Sequence, residues 1–362
     1  MPRKLSNVLF TAIKRAARIQ RQALKLVNVP VARKPRKAVK KKAAKQAATR
    51  TAAHRPKLPP APLPLPTGKG SWQNFIHKTA PTGTELLGRL AYWLYSPNGR
   101  PVAGQPLIIM LHGCQQTSYE MALGSRMNRL ADQKGFMVAY PQQAKRVQQM
   151  RCWRWFQPDA GHGLAEADAI ASLAVALVHK YRLDAGRVYI AGLSAGAGMA
   201  ALAALRYPNV FAAVATHSGA VLGAAHNAVT GLRAMRQASP LDPAELLAPL
   251  IPEPQTFPGM PIIILHGERD HVVSMRNAVQ LAQQFSYLNA ASSASVAVLA
   301  KGTHREYIRQ DFVKSRRIAV RLCRLKEVGH AWSGGDSKLK FNSKHGPAAS
   351  MLMWQFFAMH SR

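Results

Sequence analysis

Short apolar runs alternate with longer segments of helical periodicity over most of this 362-residue chain. "PLIIMLHG" (106–113), "GFMVAYP" (135–141), "RVYIAG" (187–192), "FAAVATHSG" (211–219) and "PIIILHG" (261–267) are hydrophobic stretches bounded by turn formers. That is the pattern of strands covered on both faces. Between them, "AEADAIASLAVALVHKY" (165–181) and "AGAGMAALAALRYP" (195–208) read as helices, the second stopped by Pro208. A strand-like segment follows around 317–332, and a closing helix near "AASMLMWQFFAMH". Strand alternating with helix predicts an α/β fold: a mostly parallel central sheet with helices on both faces. In such sheets the functional groups sit beyond the carboxyl ends of the strands.

The first 70 residues follow a different pattern. Leu5, Leu9, Ala12, Ala16, Ile19, Ala23 and Leu26 recur at steps of four and three, with Lys14, Arg18, Arg21 and Lys25 opposite. This describes a basic amphipathic helix, which Pro30 ends. A like-charge run and the proline-rich spacer "LPPAPLPLPTGKG" come next, a composition expected to stay extended rather than fold. The sequence therefore divides into a largely disordered basic extension, 1–70, and a folded domain, 71–362.

The charge confirms that division. The formal net charge is +34, yet no Asp or Glu precedes Glu85, while residues 1–70 hold nineteen Lys and Arg. Such an arm suits an anionic membrane or granule surface, engaged through residues 1–45, better than nucleic acid. No aromatic ring interleaves the basic run to stack on bases. Charges at Lys14, Arg15, Arg18 and Arg21 break the apolar stretch that a secretory signal needs. The expected location is therefore the cytoplasm, at a granule or membrane surface. Cys114, Cys152 and Cys323 have neither the spacing of a zinc site nor the number of a disulfide framework. No metal or cofactor is expected.

The chemistry centres on "YIAGLSAGAGMA", where Gly192, Ser194 and Gly196 form G-x-S-x-G between a strand and a helix. Glycines flanking a sharp strand-to-helix turn let backbone approach where a side chain would collide. Ser194 alone reads equally well as a small residue at a tight bend, because a serine hydroxyl is unreactive without a base. Downstream, Asp270 follows the strand ending at His266, and His330 follows the next strand-like run in "VGHAWSGG". Serine, acid, histidine is the chain order of an α/β-hydrolase triad. An oxyanion hole would use the N–H of Ala195, next to the serine, and that of Cys114 in "LHGCQQT". His112, His217, His266 and His271 compete for the role of base. His112 and His266 directly end apolar strands and are expected to orient loops instead.

Five blocks, "LIIMLHGCQQT", "RCWRWF", "YIAGLSAGAGMA", "LHGERDHVV" and "GHAWSGG", resemble the polyhydroxybutyrate depolymerase family of esterases in the α/β-hydrolase superfamily. The resemblance spans about residues 83–360 and leaves out the basic extension. It implies a serine esterase cleaving short-chain hydroxyalkanoate esters, polymer or oligomer, with Ser194, Asp270 and His330 as the triad and the Cys114 backbone in the oxyanion hole. The chain departs from the family pattern at Ala197, where similar elbows continue with glycine; Gly198 follows it. Cys114 and Cys152 lie in two matched blocks, which implies proximity; a cytosolic compartment disfavours a stable disulfide, but the proximity would permit one. Trp153 and Trp155 suit either the wall of an ester-binding cleft or the core, and Trp332, two residues after His330 on the same loop, suits the cleft better.

Two other functions compete with this one. An acetyl or feruloyl carbohydrate esterase would use the same machinery. A non-catalytic granule- or nucleic-acid-binding protein on a hydrolase scaffold would have no need of three aligned groups.

Overall fold

A computed structural model of the chain describes residues 68–79, 88–99, 101–157 and 162–362. The extension read over 1–70 lies outside the described residues except for 68–70, and its amphipathic helix is outside them altogether. Among the described residues no helix is long and apolar enough to cross a membrane.

The strands are β1 (Ser71–Lys78), β2 (Arg89–Ser96), β3 (Leu107–Leu111), β4 (Met137–Pro141), β5 (Val188–Leu193), β6 (Ala213–His217), β7 (Ile262–Gly267), β8 (Ser292–Leu299), β9 (Tyr307–Lys314) and β10 (Arg317–Leu325). They form one sheet in the order β1-β2-β4-β3-β5-β6-β7-β10-β9-β8. The six central strands, from β4 to β10 in that order, run parallel, while β1–β2 and β9–β8 add antiparallel edges. The helices are α1 (Ser118–Ser125), α2 (Met127–Lys134), α3 (His162–Tyr181), α4 (Ala195–Arg206), α5 (Ala228–Gln237), α6 (Met275–Leu288) and α7 (Ala349–Phe357). Two short strands, β11 (Trp332–Ser333) and β12 (Asn342–Ser343), pair with each other in the region after β10.

Side-chain alternation explains why the strands read as unbroken apolar runs. Ile109, Ile190, Val214, Ile262 and Ile264 enter one core with residues of α3, α4 and α6, such as Leu177, Leu202 and Phe285. Their neighbours Ile108, Tyr189, Ala213, Ile263 and Leu265 enter a second core with Met121, Leu130, Met353 and Phe356 of α1, α2 and α7. Both faces of the sheet are therefore dry, as crossover helices require.

The close approach of β3, β5 and α4 depends on two glycines. A Cβ on Gly192 would stand 2.2 Å from the Gly196 carbonyl oxygen, and one on Gly196 would stand 2.4 Å from that of Leu111. Neither obstacle is a side chain that can swing away. Gly196→Ala is expected to lower unfolding free energy by about 2 kcal/mol or more. Gly88→Ala, with nothing near its Cβ position, should change it by no more than about 0.5 kcal/mol. Urea unfolding of the two variants checks this, and equal midpoints would refute it.

Candidate active site

Ser194 occupies the turn between β5 and α4 with φ 56° and ψ −119°, a backbone conformation that costs a non-glycine residue energy. Several contacts hold it there: its N–H donates to the His217 carbonyl at 2.9 Å, and its own carbonyl accepts from Ala197 and Gly198. The strained turn thus lies between β6 and the first turn of α4. Ala197, the departure from the family pattern, is buried, with its Cβ 3.0 Å from where a Cβ on Gly219 would stand. Glycine at 219 accommodates the methyl.

Asp270 and His330 come from the loops after β7 and β10, which are adjacent parallel strands. The two loops are bound together: Glu268 N–H donates to the Leu325 carbonyl, and Arg269 N–H to that of Val328. The Ser194 hydroxyl donates to His330 Nε2 at 2.9 Å, and His330 Nδ1–H donates to Asp270 Oδ2 at 2.8 Å. Asp270 Oδ1 accepts from the N–H groups of Val272 and Val273. The structure therefore brings together three side chains separated by up to 136 positions in sequence.

Burial alone would push the Asp270 carboxyl up. The His330 hydrogen bond and charge, then the Val273 N–H, outweigh it and hold the carboxyl at about 2. It is ionised at neutral pH and orients one imidazole tautomer.

The competing histidines have other partners. Buried His112 sits below the loop after β3: its Nδ1–H donates to the Gly113 carbonyl, and its Nε2 accepts from Gln143 N–H and the Gln142 amide. Burial lowers its pKa to about 4. Buried His217 accepts the Ser333 N–H at Nε2, bracing the loop that carries His330, and burial together with the nearby His266 holds its pKa at about 3. His266 donates to the Val273 carbonyl in the acid loop, and burial lowers its pKa too. His271 is exposed. Each of the three buried imidazoles stays neutral and steadies one loop of the site.

The two N–H groups expected at an oxyanion hole belong to residues close to Ser194 in the chain or in space. Ala195 opens α4 directly after Ser194, and a Cβ on Gly113 would stand 3.5 Å from that of Ser194, which puts Cys114 one residue away. Among the described residues neither the Cys114 nor the Ala195 N–H donates to a backbone carbonyl of a turn or loop. Cys114 is joined to Cys152 in a disulfide, Cα to Cα 4.3 Å, and Gln115 N–H donates to the Met150 carbonyl beside it. The loop is fixed at both its covalent and its hydrogen-bonded ends.

The aromatic residues require a correction. Trp153, Trp155 and Trp332 wall no open cleft, because all three rings are in the core. Trp153 lies against the His112 ring, Trp155 closes over Gly198, and Trp332 stacks on His217. They pack behind the site and hold its scaffold. A groove of about 660 Å³ walled by Leu164, Leu202, Leu250 and Phe257 contains none of Ser194, Asp270 and His330. Among the described residues no cluster of three or more His, Cys, Asp or Glu could hold a metal ion.

Sequence reading missed Gln143 and Glu166. Both are buried and hydrogen-bonded to each other, at 2.6 Å, behind the Cys114 loop. A charged residue in an otherwise apolar stripe of α3 was the available signal.

Residues 90–310 match the model of the family described as esterase PHB depolymerase. The chain is 33% identical over 204 residues to poly(3-hydroxyalkanoate) depolymerase C of Paucimonas lemoignei, covering 55% of this chain and 48% of that one. It is 32% identical over 197 residues to feruloyl esterase B of Neurospora crassa, covering 50% and 64%. The chain thus spans about half to two thirds of these relatives. Among solved structures, acetyl xylan esterase from Aspergillus awamori superposes with a TM-score of 0.63 at 18% identity, over 80% of this chain and all of that one. That likeness supports the fold alone, and the fold is the α/β-hydrolase fold. With more than half of its length matched by one family model, the chain belongs to the esterase PHB depolymerase family.

Proposed function

We propose that this protein is a serine esterase that hydrolyses short-chain hydroxyalkanoate esters through an acyl-enzyme. The unbroken hydrogen-bonded line from Ser194 through His330 to Asp270 carries the reading. Ser194 Oγ attacks the ester carbonyl carbon as His330 Nε2 takes its proton, and Asp270 stabilises the resulting imidazolium. The carbonyl oxygen becomes an oxyanion that the N–H groups of Cys114 and Ala195 receive. His330 returns the proton to the departing alkoxide, leaving Ser194 acylated. Water, deprotonated by His330, then attacks the acyl carbon and releases the acid.

The polyester substrate rests on the relatives. Poly(3-hydroxyalkanoate) depolymerase C and a poly(3-hydroxybutyrate) depolymerase of Ralstonia pickettii are similar to this chain. Feruloyl esterase B and acetylxylan esterase A are similar as well, so a carbohydrate ester is the second reading. The non-catalytic reading fits poorly, since a scaffold has no use for a strained serine aligned with an imidazole. On this account the basic residues 1–45 hold the enzyme at an anionic membrane or polymer-granule surface, while the Cys114–Cys152 disulfide speaks against the cytoplasmic location expected from the sequence.

Wild-type protein is expected to hydrolyse p-nitrophenyl butyrate, and Ser194→Ala to lose roughly 10⁴-fold or more in kcat while keeping its circular dichroism. A folded wild type with background turnover would remove the esterase assignment. On natural substrates, release of hydroxy acid from polyester granules or oligomers should exceed acetate release from acetylated xylan at least about tenfold, and the reverse order would favour the carbohydrate esterase. Deleting residues 1–45 should weaken granule binding in a salt-sensitive way and spare turnover of soluble ester. Undiminished binding would end the role given to the arm.

A pH effect on stability follows from the depressed Asp270 carboxyl. A carboxyl whose folded pKa lies below its unfolded value stabilises the fold above the unfolded pKa and loses that contribution as pH falls through the folded one. Here the window runs from 3.8 down to about 2, and its size is roughly 2 kcal/mol. Asp270→Asn should flatten the fall in urea midpoint across that window, and an unchanged slope would contradict the assignment.

A further inference from the structure

Glu166 lies in α3, one turn from its start, with 1% of its surface exposed. No step of the proposed reaction uses it. Its two carboxylate oxygens accept from different segments: Oε1 from the Gln143 amide at 2.6 Å, and Oε2 from the Arg154 backbone N–H at 2.7 Å. Gln143 is itself buried and fully oriented. Its side-chain oxygen accepts the Ala144 N–H, its amide also donates to the Cys152 carbonyl at 3.3 Å, and its backbone N–H donates to His112 Nε2. His112 passes the constraint on, since its Nδ1–H holds the Gly113 carbonyl one residue before Cys114. Cys152, the disulfide partner of Cys114, lies in the same segment as Arg154. One carboxylate therefore ties both sides of the Cys114 loop to the rigid helix α3: the β4 exit through Gln143 and His112, and the Cys152 side through Arg154.

Resting on the esterase reading above, we propose that Glu166 is a positioning residue. Through Gln143 and His112 it fixes the Cys114 N–H where the oxyanion forms, and so acts on turnover rather than on substrate binding. An oxyanion donor contributes only when it is preset at the transition-state position, and a shift of about 1 Å at such a group can cost on the order of 100-fold.

The charge state supports this geometry. Both oxygens face N–H donors, so the ionised form satisfies the network, whereas a proton on either oxygen would face a donor. Burial pushes the carboxyl up to about 7, against the Arg154 N–H, the Gln143 amide and the Arg154 charge. The charged and titratable groups around it are the Arg154 guanidinium and, through Gln143, the neutral His112. An acid with a folded pKa above its ordinary value removes stability as pH rises through that window. The ionised clamp is thus a cost to the fold, as expected of a group kept for a site rather than for packing.

The test uses the full-length protein with its disulfide intact. In Glu166→Gln one buried N–H donor meets an amide NH₂ instead of an oxygen. We expect kcat on p-nitrophenyl butyrate to fall about tenfold with KM within about twofold. The exchanged pair Glu166→Gln with Gln143→Glu restores the link between positions 166 and 143, since the residue-166 amide then donates to the residue-143 carboxylate while its oxygen still accepts from Arg154; only the longer donation to the Cys152 carbonyl is lost. It should recover kcat to within about threefold of wild type. The ratio of wild-type to Glu166→Gln kcat should also shrink as pH falls through about 7, because acid removes the clamp from the wild type alone. Hydrogen exchange of the peptide covering 112–118 reads the clamp without substrate: about tenfold faster in the single variant, restored in the exchanged pair.

A folded Glu166→Gln with kcat within twofold of wild type, or an exchanged pair no better than the single variant, overturns the proposal. So does unchanged exchange over 112–118. If Glu166→Gln does not fold, Gln143→Met cuts the same link and must give the same kcat loss and exchange. Should wild type hydrolyse no ester, the esterase reading fails, and the role of Glu166 in oxyanion binding falls with it. Exchange then still decides separately whether the carboxylate holds the loop.

Discussion

The backbone of Ser194, bent into a left-handed turn between β5 and α4, is the constraint on which the other features depend. A serine there lifts its hydroxyl clear of the sheet and opens a helix whose first N–H groups face the same space. That turn exists only because β5, α4 and the end of β3 approach within backbone contact, which Gly192 and Gly196 permit. The same approach sets Gly113 beside Ser194, so the serine and the loop proposed to complete the oxyanion hole are placed by one packing event. The hydrogen bond from Ser194 N–H to the His217 carbonyl ties the turn to β6 as well.

Around that turn the site separates charge from neutrality. Asp270 is held ionised by its surroundings, through His330 and two backbone N–H groups. The buried imidazoles of His112, His217 and His266 are kept neutral by desolvation, so His112 serves as a directed donor and acceptor, His217 as an acceptor and His266 as a donor, without adding positive charge beside His330. Each steadies a different loop: His112 the Cys114 loop, His217 the His330 loop, His266 the Asp270 loop. Trp153 and Trp332 pack on this layer, against His112 and His217. Residues that look like cleft walls by chemical type are therefore packed in the core behind Ser194 and His330.

The parallel core was legible because its strands are dry on both faces and its crossover helices are long. The runs at 106–113, 187–192 and 261–267 correspond to β3, β5 and β7. The antiparallel edges were not legible. β8, "SSASVAVL", is exposed along most of its length, so burial imposes no clear alternation on it, and β1 and β2 likewise face solvent along part of their surface. The short helices α1 and α2 meet at Arg126, whose left-handed φ of 58° leaves no glycine or proline to mark the joint.

By itself the sequence determined the chain order of serine, acid and histidine, the glycines that make the elbow, and the strand ends that carry the loops. These are local properties, fixed by steric limits and periodicity within a few residues. Only the tertiary structure decided that the Trp153, Trp155 and Trp332 rings face inward, that Cys114 meets Cys152, and that Glu166 reaches Gln143 behind the Cys114 loop. Indole, thiol and carboxylate have the same composition at the surface as in the core. What separates the two is which other segment the chain folds against them, and that depends on contacts between residues far apart in the chain.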